Sequence, residues 1–402
     1  MGTPGFGSLC TWGLPASWGG VVGGANTGLM LPKNYVNNTK RLCIYHHGAG
    51  ELAYSPFSNT LCQNLAAVYP SVSSDEGTTV TDNWGNAASF IVFDALATTF
   101  EAGGTYPYGK TGTDFRYGVS MGGASALCYA AHNPGSTAAV VSTIPAFNLG
   151  NLWSPTTTVA AASNGGTITA IASWAFPSAG VLAIADGKGI LAPLSGTTTP
   201  YPAPATVVTS GGTASITYTG VSGNTLTGCV FVSGSGTVAT GAVVTYSRIA
   251  GQAVASGNFT ASINAAYGVT YNPATTDATY NGTTVNGVTF TTQQSARDVY
   301  YMGINTPQLF STFPIYLWYG QQDPTCCWKE IEAWATSVNN YCTTNSLPPT
   351  VTLVADPVGT HATATYNCWY SVGTKLGGSG GTTVTVPFAN MNTVLSAFNG
   401  LN

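Results

Sequence analysis

Charge is what this chain has least of. Of its 402 residues only 6% are Asp, Glu, Lys or Arg, against about 25% in ordinary soluble domains. The ten basic residues are scattered from Lys33 to Lys375, and only Lys40 and Arg41 are adjacent. Without a basic patch, no nucleic-acid partner is expected. No run is long and apolar enough to span a bilayer, so no transmembrane segment is expected. The opening Met1-Gly2-Thr3-Pro4-Gly5-Phe6 lacks a basic region followed by an apolar stretch and does not read as a signal peptide. The nine cysteines include no C-x-x-C pair, and His46-His47 stand at no zinc-finger spacing from any of them. No metal site is therefore expected. The odd number leaves at least one thiol free. Cys43 and Cys128 read as buried thiols, while Cys326, Cys327, Cys342 and Cys368 cluster late and could supply a disulfide whose pairing stays open.

Gly, Thr, Ser, Ala and Asn stand where the charge is missing. That composition suits a secreted, cell-surface or virion protein better than a cytosolic housekeeping enzyme. Hydrophobic residues make up 44%, with 15 Phe, 21 Tyr and 9 Trp, so a large core is available and the length allows an enzyme core plus an elaboration.

Along the chain, apolar strand runs alternate with helical periodicity. Strands are expected at 28–31 (an edge strand stopped by Pro32), 41–46, 78–81, 115–119 and 138–144. Helices are expected at 57–69, 87–101 and 121–132. The pattern resumes with strands at 313–320 and 350–354, a helix at 327–342 and a last helix near 388–399. Such alternation implies a parallel sheet covered on both faces. Between 155 and about 290 the chain is Thr-, Gly- and Ser-rich. Runs at 205–208, 214–218, 228–232 and 242–246 read as a small antiparallel β unit, followed by a short helix near 258–267. The division is 1–154, first part of the core; 155–290, insertion; 291–402, second part of the core.

Chemistry in a parallel sheet collects at the C-terminal strand ends. His47, Trp84 and Ser120 fall there, and His47 and Trp84 are candidates for the substrate wall. Ser120 lies in Gly118-Val119-Ser120-Met121-Gly122, a G-x-S-x-G run with a strand before it and a helix after it. A strand turning at once into a helix leaves the serine strained and its hydroxyl exposed. Gly377-Gly378-Ser379-Gly380-Gly381 fits the same pattern but has neither flank and reads as a low-complexity loop. A serine hydroxyl needs a base, and the base an orienting acid. The chain has four histidines, 46, 47, 132 and 361. His132 lies on the helix that starts at Ser120, too far along to fold back. His361 follows a strand end in a small-residue loop and is the natural base. Asp323, directly after the strand at 313–320, is the leading acid, with Asp356 the runner-up.

The order Ser120, Asp323, His361 resembles that of the α/β-hydrolase superfamily, over residues 28–150 and 300–400. The resemblance implies the α/β-hydrolase fold, a mostly parallel central sheet with helices on both faces, carrying a β-rich lid or platform. It also implies an oxyanion hole from the N–H of Met121 with that of Gly48 or Ala49, since Ile44-Tyr45-His46-His47-Gly48-Ala49-Gly50 looks like the family's H-G segment. That segment is not a full H-G-G-G run, which leaves open which amide donates. His47 would shape this loop, and His46 can equally be a core residue pointing away. The activity implied is that of a serine esterase needing no cofactor. A segment from Tyr218 to Gly241 also resembles one in tail and baseplate proteins of bacteriophages, notably of actinobacteria. That implies a virion tail protein, with other tail proteins in a homo-oligomeric assembly as partners. Its ester substrate would be a lipid or cell-envelope glycolipid, mycolate esters among them. Two other readings stand beside this one, a secreted esterase or depolymerase and a non-catalytic structural or adhesive tail protein.

Overall fold

The structure is a computed structural model. It describes residues 21–32, 36–53, 65–66, 68–76, 82–146, 148–149, 152, 156–158, 167–168, 182–183, 203–222, 225–239, 242–246, 259–267, 272–320, 323, 326, 328–356, 359, 361, 372–376, 383–387, 398 and 400–401. The chain divides into two compact units. One comprises Met1–Leu149, Ala261–Gly320 and Ile331–Asn402, and the other Gly150–Thr260 with Gln321–Glu330.

The first unit is built on an eight-stranded sheet of β1 (Val21–Val22), β2 (Ala25–Met30), β3 (Arg41–His46), β4 (Ser71–Ser74), β5 (Lys110–Val119), β6 (Thr137–Thr143), β7 (Ile315–Gly320) and β8 (Val351–Asp356). Their spatial order is β1-β2-β4-β3-β5-β6-β7-β8. β2 runs antiparallel to both its neighbours, and every pair from β4 to β8 is parallel. Helices α1 (Ala87–Phe100), α2 (Met121–His132), α3 (Thr260–Tyr267), α4 (Gln293–Arg297), α5 (Val299–Asn305) and α6 (Trp328–Thr344) interleave with the strands. This is the α/β-hydrolase fold, with a strand-rich insertion between β6 and β7.

Central strands buried on both faces need apolar residues at every position rather than at alternate ones. In β5 all six positions from Asp114 to Val119 are buried, and apart from Asp114 and Arg116 they are uncharged. Tyr45, Phe115, Tyr117, Val141, Trp318 and Phe398 meet in one core. Phe115 stacks on Phe398 with centroids 3.8 Å apart and meets Tyr69 edge-on at 5.2 Å. The few charges inside this layer are paired or stacked. Asp114 and Arg116 lie 3.5 Å apart with essentially no exposure, and the Arg116 guanidinium sits 3.9 Å from the centre of the Tyr129 ring.

Most expected elements that fall in described residues appear within a few residues of their places, and one differs in kind. β2 is flanked by β1 and so is not an edge strand. The strand between β2 and β3 is Ser71–Ser74, while 78–81 lies outside the described residues. Ser71-Val72-Ser73-Ser74 is wholly buried yet mostly hydroxylic, so it carries no apolar signature. Of the helix expected at 57–69 only Leu65 and Ala66 are described as helical, and most of the one near 388–399 lies outside the described residues, as do Trp12, Trp18 and Ser379. Cys43, Cys128, Cys229, Cys326 and Cys342 are free thiols; Cys327 and Cys368 lie outside the described residues.

The second unit contains a five-stranded antiparallel sheet in the order Val230–Ser233, Gly212–Tyr218, Ala203–Thr209, Val243–Tyr246, Thr156–Thr158. The four runs singled out in the sequence form its first four strands. Ala205, Val207, Ala214, Ile216, Tyr218, Phe231 and Val244 are buried, and their period-2 spacing gives the sheet one apolar face. Gly212 closes the hairpin with φ +116°, a conformation side chains rarely adopt.

Phe115→Ala removes a fully buried ring from the core of the first unit. It is expected to cost about 3–5 kcal/mol, read as a lowered midpoint in urea or guanidinium unfolding.

Candidate functional site

Register aligns the C-terminal ends of the central strands. His46 pairs with Gly118, Gly118 with Ser142, and Thr143 with both Val119 and Trp318. The residues that leave these strands therefore emerge together at one edge of the sheet.

Ser120 sits between β5 and α2 with φ +55° and ψ −119°, a conformation costly for a residue with a side chain. Its surroundings enforce it. The Ser120 N–H donates to Thr143 O at 2.9 Å, and Ser120 O accepts from Ala146 N–H at 3.1 Å and Ala124 N–H at 3.2 Å. The flanking glycines leave no room for anything larger. A Cβ on Gly118 would fall on the Gly122 carbonyl, one on Gly122 on the His46 and His47 carbonyls, and one on Gly123 would lie 2.6 Å from Ser142 Oγ. The first turn of α2 thus rides directly on the backbone of β3. Every residue of α2 is buried, whereas Ser120 is half-buried.

His361 Nε2 lies 3.0 Å from Ser120 Oγ, so the structure brings these two expected partners into hydrogen-bond reach across 241 positions of sequence. The other histidines are elsewhere. His46 is buried, 3.3 Å from Ser125 Oγ through Nδ1 and packed on Phe93 with centroids 4.0 Å apart. Burial, aided by the Arg116 charge, holds it well below the usual histidine range. It is the inward-pointing core residue that the sequence left open. His132 is also buried, its Nε2 2.7 Å from Ala296 O, and burial lowers it to about 4.

Two carboxylates follow the neighbouring strands β7 and β8. Asp323 stands three residues beyond Gly320 and is buried, with Oδ1 accepting the Cys326 N–H at 3.0 Å. Asp356 is the last residue of β8, paired in register with Gly320, and fully buried.

Three more of the expected site residues are held by internal hydrogen bonds. The Gly48 N–H donates to Glu51 Oε2 at 2.7 Å, so it is not available to a ligand, and Ala49 remains of the two amides proposed there. Met121 N–H is at the first position of α2, where helical amides have no intrahelical acceptor. His47 is fully buried. Its N–H donates to Glu76 Oε1 at 2.8 Å, and its Nδ1 lies 2.8 Å from Gly48 O. It shapes the loop from a buried position. Trp84 is 3% exposed, with φ +49°. Its indole N–H donates to Ser262 Oγ at 2.7 Å and its carbonyl accepts from Tyr267 Oη at 2.9 Å. These bonds tie it to α3.

Glu76 was not foreseen. It is fully buried at φ +56°, with its carboxyl receiving the His47 N–H and the Asn83 side-chain amide. Burial pushes it up to about 7, against the pull of His47 and of its hydrogen bonds. Burial alone would lower His47, but the Glu76 charge and the Gly48 carbonyl outweigh it, and His47 is raised. The signal that could have found Glu76 is scarcity, because the chain has only 14 acidic residues.

Neither a protein-family model nor a curated protein matches the chain. Solved structures do. Est1E from Butyrivibrio proteoclasticus matches with a TM-score of 0.38 at 13% identity, over 85% of this chain and 87% of that one. A monoacylglycerol lipase of Paleococcus ferrophilus matches with a TM-score of 0.35 at 11% identity, over 83% and 88%. FphF, a fluorophosphonate-binding serine hydrolase of Staphylococcus aureus, matches with a TM-score of 0.26 at 17% identity, over 32% and 54%. Likenesses this loose leave the function to be argued from the residues themselves.

Two predictions follow from this geometry. Gly122→Ala forces α2 away from β3 and is expected to cost about 3 kcal/mol, measured by chemical unfolding. The second concerns pH. Between 4.5 and about 7 the folded Glu76 keeps a proton that the unfolded chain has released, so its contribution to stability falls as pH rises through that window. The raised His47 acts in the same direction, its contribution being present at low pH and lost as pH rises. Glu76→Gln is expected to flatten the decline of Tm across this range.

Proposed function

We propose that this chain is a serine hydrolase acting on carboxylic esters. The observation that carries the reading is the 3.0 Å approach of His361 Nε2 to Ser120 Oγ at a strained strand-to-helix turn. Such a half-buried hydroxyl, with a base in reach and a helix N-terminus beside it, is equipped for acyl transfer. His361 takes the Ser120 proton as Ser120 Oγ attacks the ester carbonyl. The N–H groups of Met121 and Ala49 receive the oxyanion, each such donor being worth roughly 10²–10³ in rate. The imidazolium then protonates the departing alcohol. Water, deprotonated by the same imidazole, releases the acyl group and restores Ser120. Asp323 is the acid that orients His361. Its burial and its place just beyond β7 support this, as does its order in the chain between serine and histidine.

We further infer that the enzyme is carried on a phage tail and cleaves host cell-envelope esters, of mycolate type in hosts that bear them. Support comes from the likeness of the segment 218–241 to tail and baseplate proteins and from the scarcity of charge. Release of fatty or mycolic acids from isolated envelopes, and antibody labelling of virion tails, test this extension separately from the chemistry.

The purified protein is expected to react with a fluorophosphonate probe. Ser120→Ala should abolish labelling and Ser379→Ala leave it unchanged. Asp323→Asn should lower kcat by about 10⁴, while Asp356→Asn should not. Failure of the folded wild-type protein to label would sink the hydrolase reading in favour of a structural tail role. The larger loss in Asp356→Asn would move the acid to Asp356.

A further inference from the structure

Residues 47–53 are held in an unusual way. Four of their amides donate to four different carboxylates. The His47 N–H reaches Glu76 Oε1 at 2.8 Å, Gly48 reaches Glu51 Oε2 at 2.7 Å, Gly50 reaches Asp82 Oδ1 at 2.7 Å, and Ala53 reaches Asp75 Oδ1 at 2.6 Å. The Glu51 N–H turns back to Gly48 O at 3.1 Å. Among the described residues, the Ala49 N–H is the one amide from 47 to 51 that meets no acceptor, and Ala49 is exposed. A chain with only 14 acidic residues has brought four of them to the amides of one short loop.

The carboxylates are themselves anchored. Asp75 Oδ2 accepts from Asn26 Nδ2 on β2 at 2.6 Å. Glu76 Oε2 accepts from Asn83. Asp82 Oδ2 accepts from Ser262 Oγ on α3 at 2.7 Å, and that hydroxyl in turn accepts from the Trp84 indole. Glu51 Oε2 also accepts from Tyr45 Oη at 3.0 Å. These bonds come from several elements of the fold, so the loop is fixed from several sides at once. Each carboxylate is met by two donors, which limits its repulsion toward an anion forming near Ala49.

We propose that Glu51, Asp75, Glu76 and Asp82 are positioning residues. They bind the neighbouring amides of the loop so that the Ala49 N–H alone is left, fixed in direction, for an incoming oxyanion. The oxyanion's identity rests on the hydrolase reading above, but the clamp itself does not. Oxyanion donors are effective because they are aligned before the reaction begins. A loop whose amides were free would instead turn them toward water.

The test compares Glu51→Ala with Glu51→Gln and Asp82→Ala with Asp82→Asn, since each amide retains one accepting oxygen. Two quantities are read, kcat and KM on p-nitrophenyl butyrate, and amide hydrogen exchange over residues 41–53. The alanine variants are expected to lose about ten-fold in kcat at unchanged KM, the worth of one such hydrogen bond. Their exchange at residues 47–50 should rise at least as much, roughly ten-fold by the same measure. The amide variants should recover to within about three-fold of wild type on both. A contribution to folding alone would not divide kcat from KM, nor be rescued in this way. Wild-type kcat in both alanine variants overturns the proposal, as does a loss of kcat without faster exchange. Should the wild-type protein hydrolyse no ester, the hydrolase reading falls. The exchange measurement then still decides the clamp, unchanged protection in the alanine variants refuting it.

Discussion

The backbone contact between α2 and β3 governs the arrangement around Ser120. Gly122 lies so close to the His46 and His47 carbonyls that no side chain fits between them. That approach brings the N-terminus of a helix against the end of a strand, and Ser120 takes up the turn with a positive φ. The strain is local and the support broad. The Thr143 carbonyl and the Ala146 amide hold Ser120 from β6 and just beyond it, and register aligns β3, β5, β6 and β7 behind it. A residue held out of its preferred conformation by several neighbours is the usual condition of a reactive one.

A protein with so little charge might be expected to keep what it has at the surface, for solubility. At least half of its acids do otherwise. Glu76, Asp114, Asp277, Asp298, Asp323, Glu330 and Asp356 are all buried, out of 14 acidic residues in the chain. Several cap or clamp backbone amides. Asp298 accepts the Tyr301 N–H at the start of α5, and Asp277 accepts those of Thr279 and Tyr280 while paired with Arg297. Hydroxyls and amides carry the surface, and ionised groups act as internal fasteners where an amide donor would otherwise go unmet.

The parts of this arrangement that were legible in the sequence are those with a period or a motif. β5 and α2 could be read because an apolar run, a G-x-S-x-G turn and a helical stretch follow one another without a break. β7 could be read because Ile315–Gly320 is apolar enough to be a central strand, and β8 because 351–355 is a largely apolar run even at the end of the sheet. β4 went unread because Ser71, Ser73 and Ser74 are buried hydroxylic residues, which leave no hydrophobic pattern. His47 and Trp84 were assigned to the substrate wall because strand ends attract function. Their burial depends on Glu76 and on Ser262, residues 29 and 178 positions away, and no local signal reports such partners. The acids of the 47–53 loop were invisible for the same reason, since each meets the loop through a tertiary contact.

The β6–β7 pairing joins Val140 to Ile315, and everything between them is synthesised before the two can meet. Ser120 therefore emerges from the ribosome 241 residues ahead of His361. A nascent or truncated chain carries a serine without its base. Hydrolytic capacity, on the reading proposed, is denied to every product that ends short of His361.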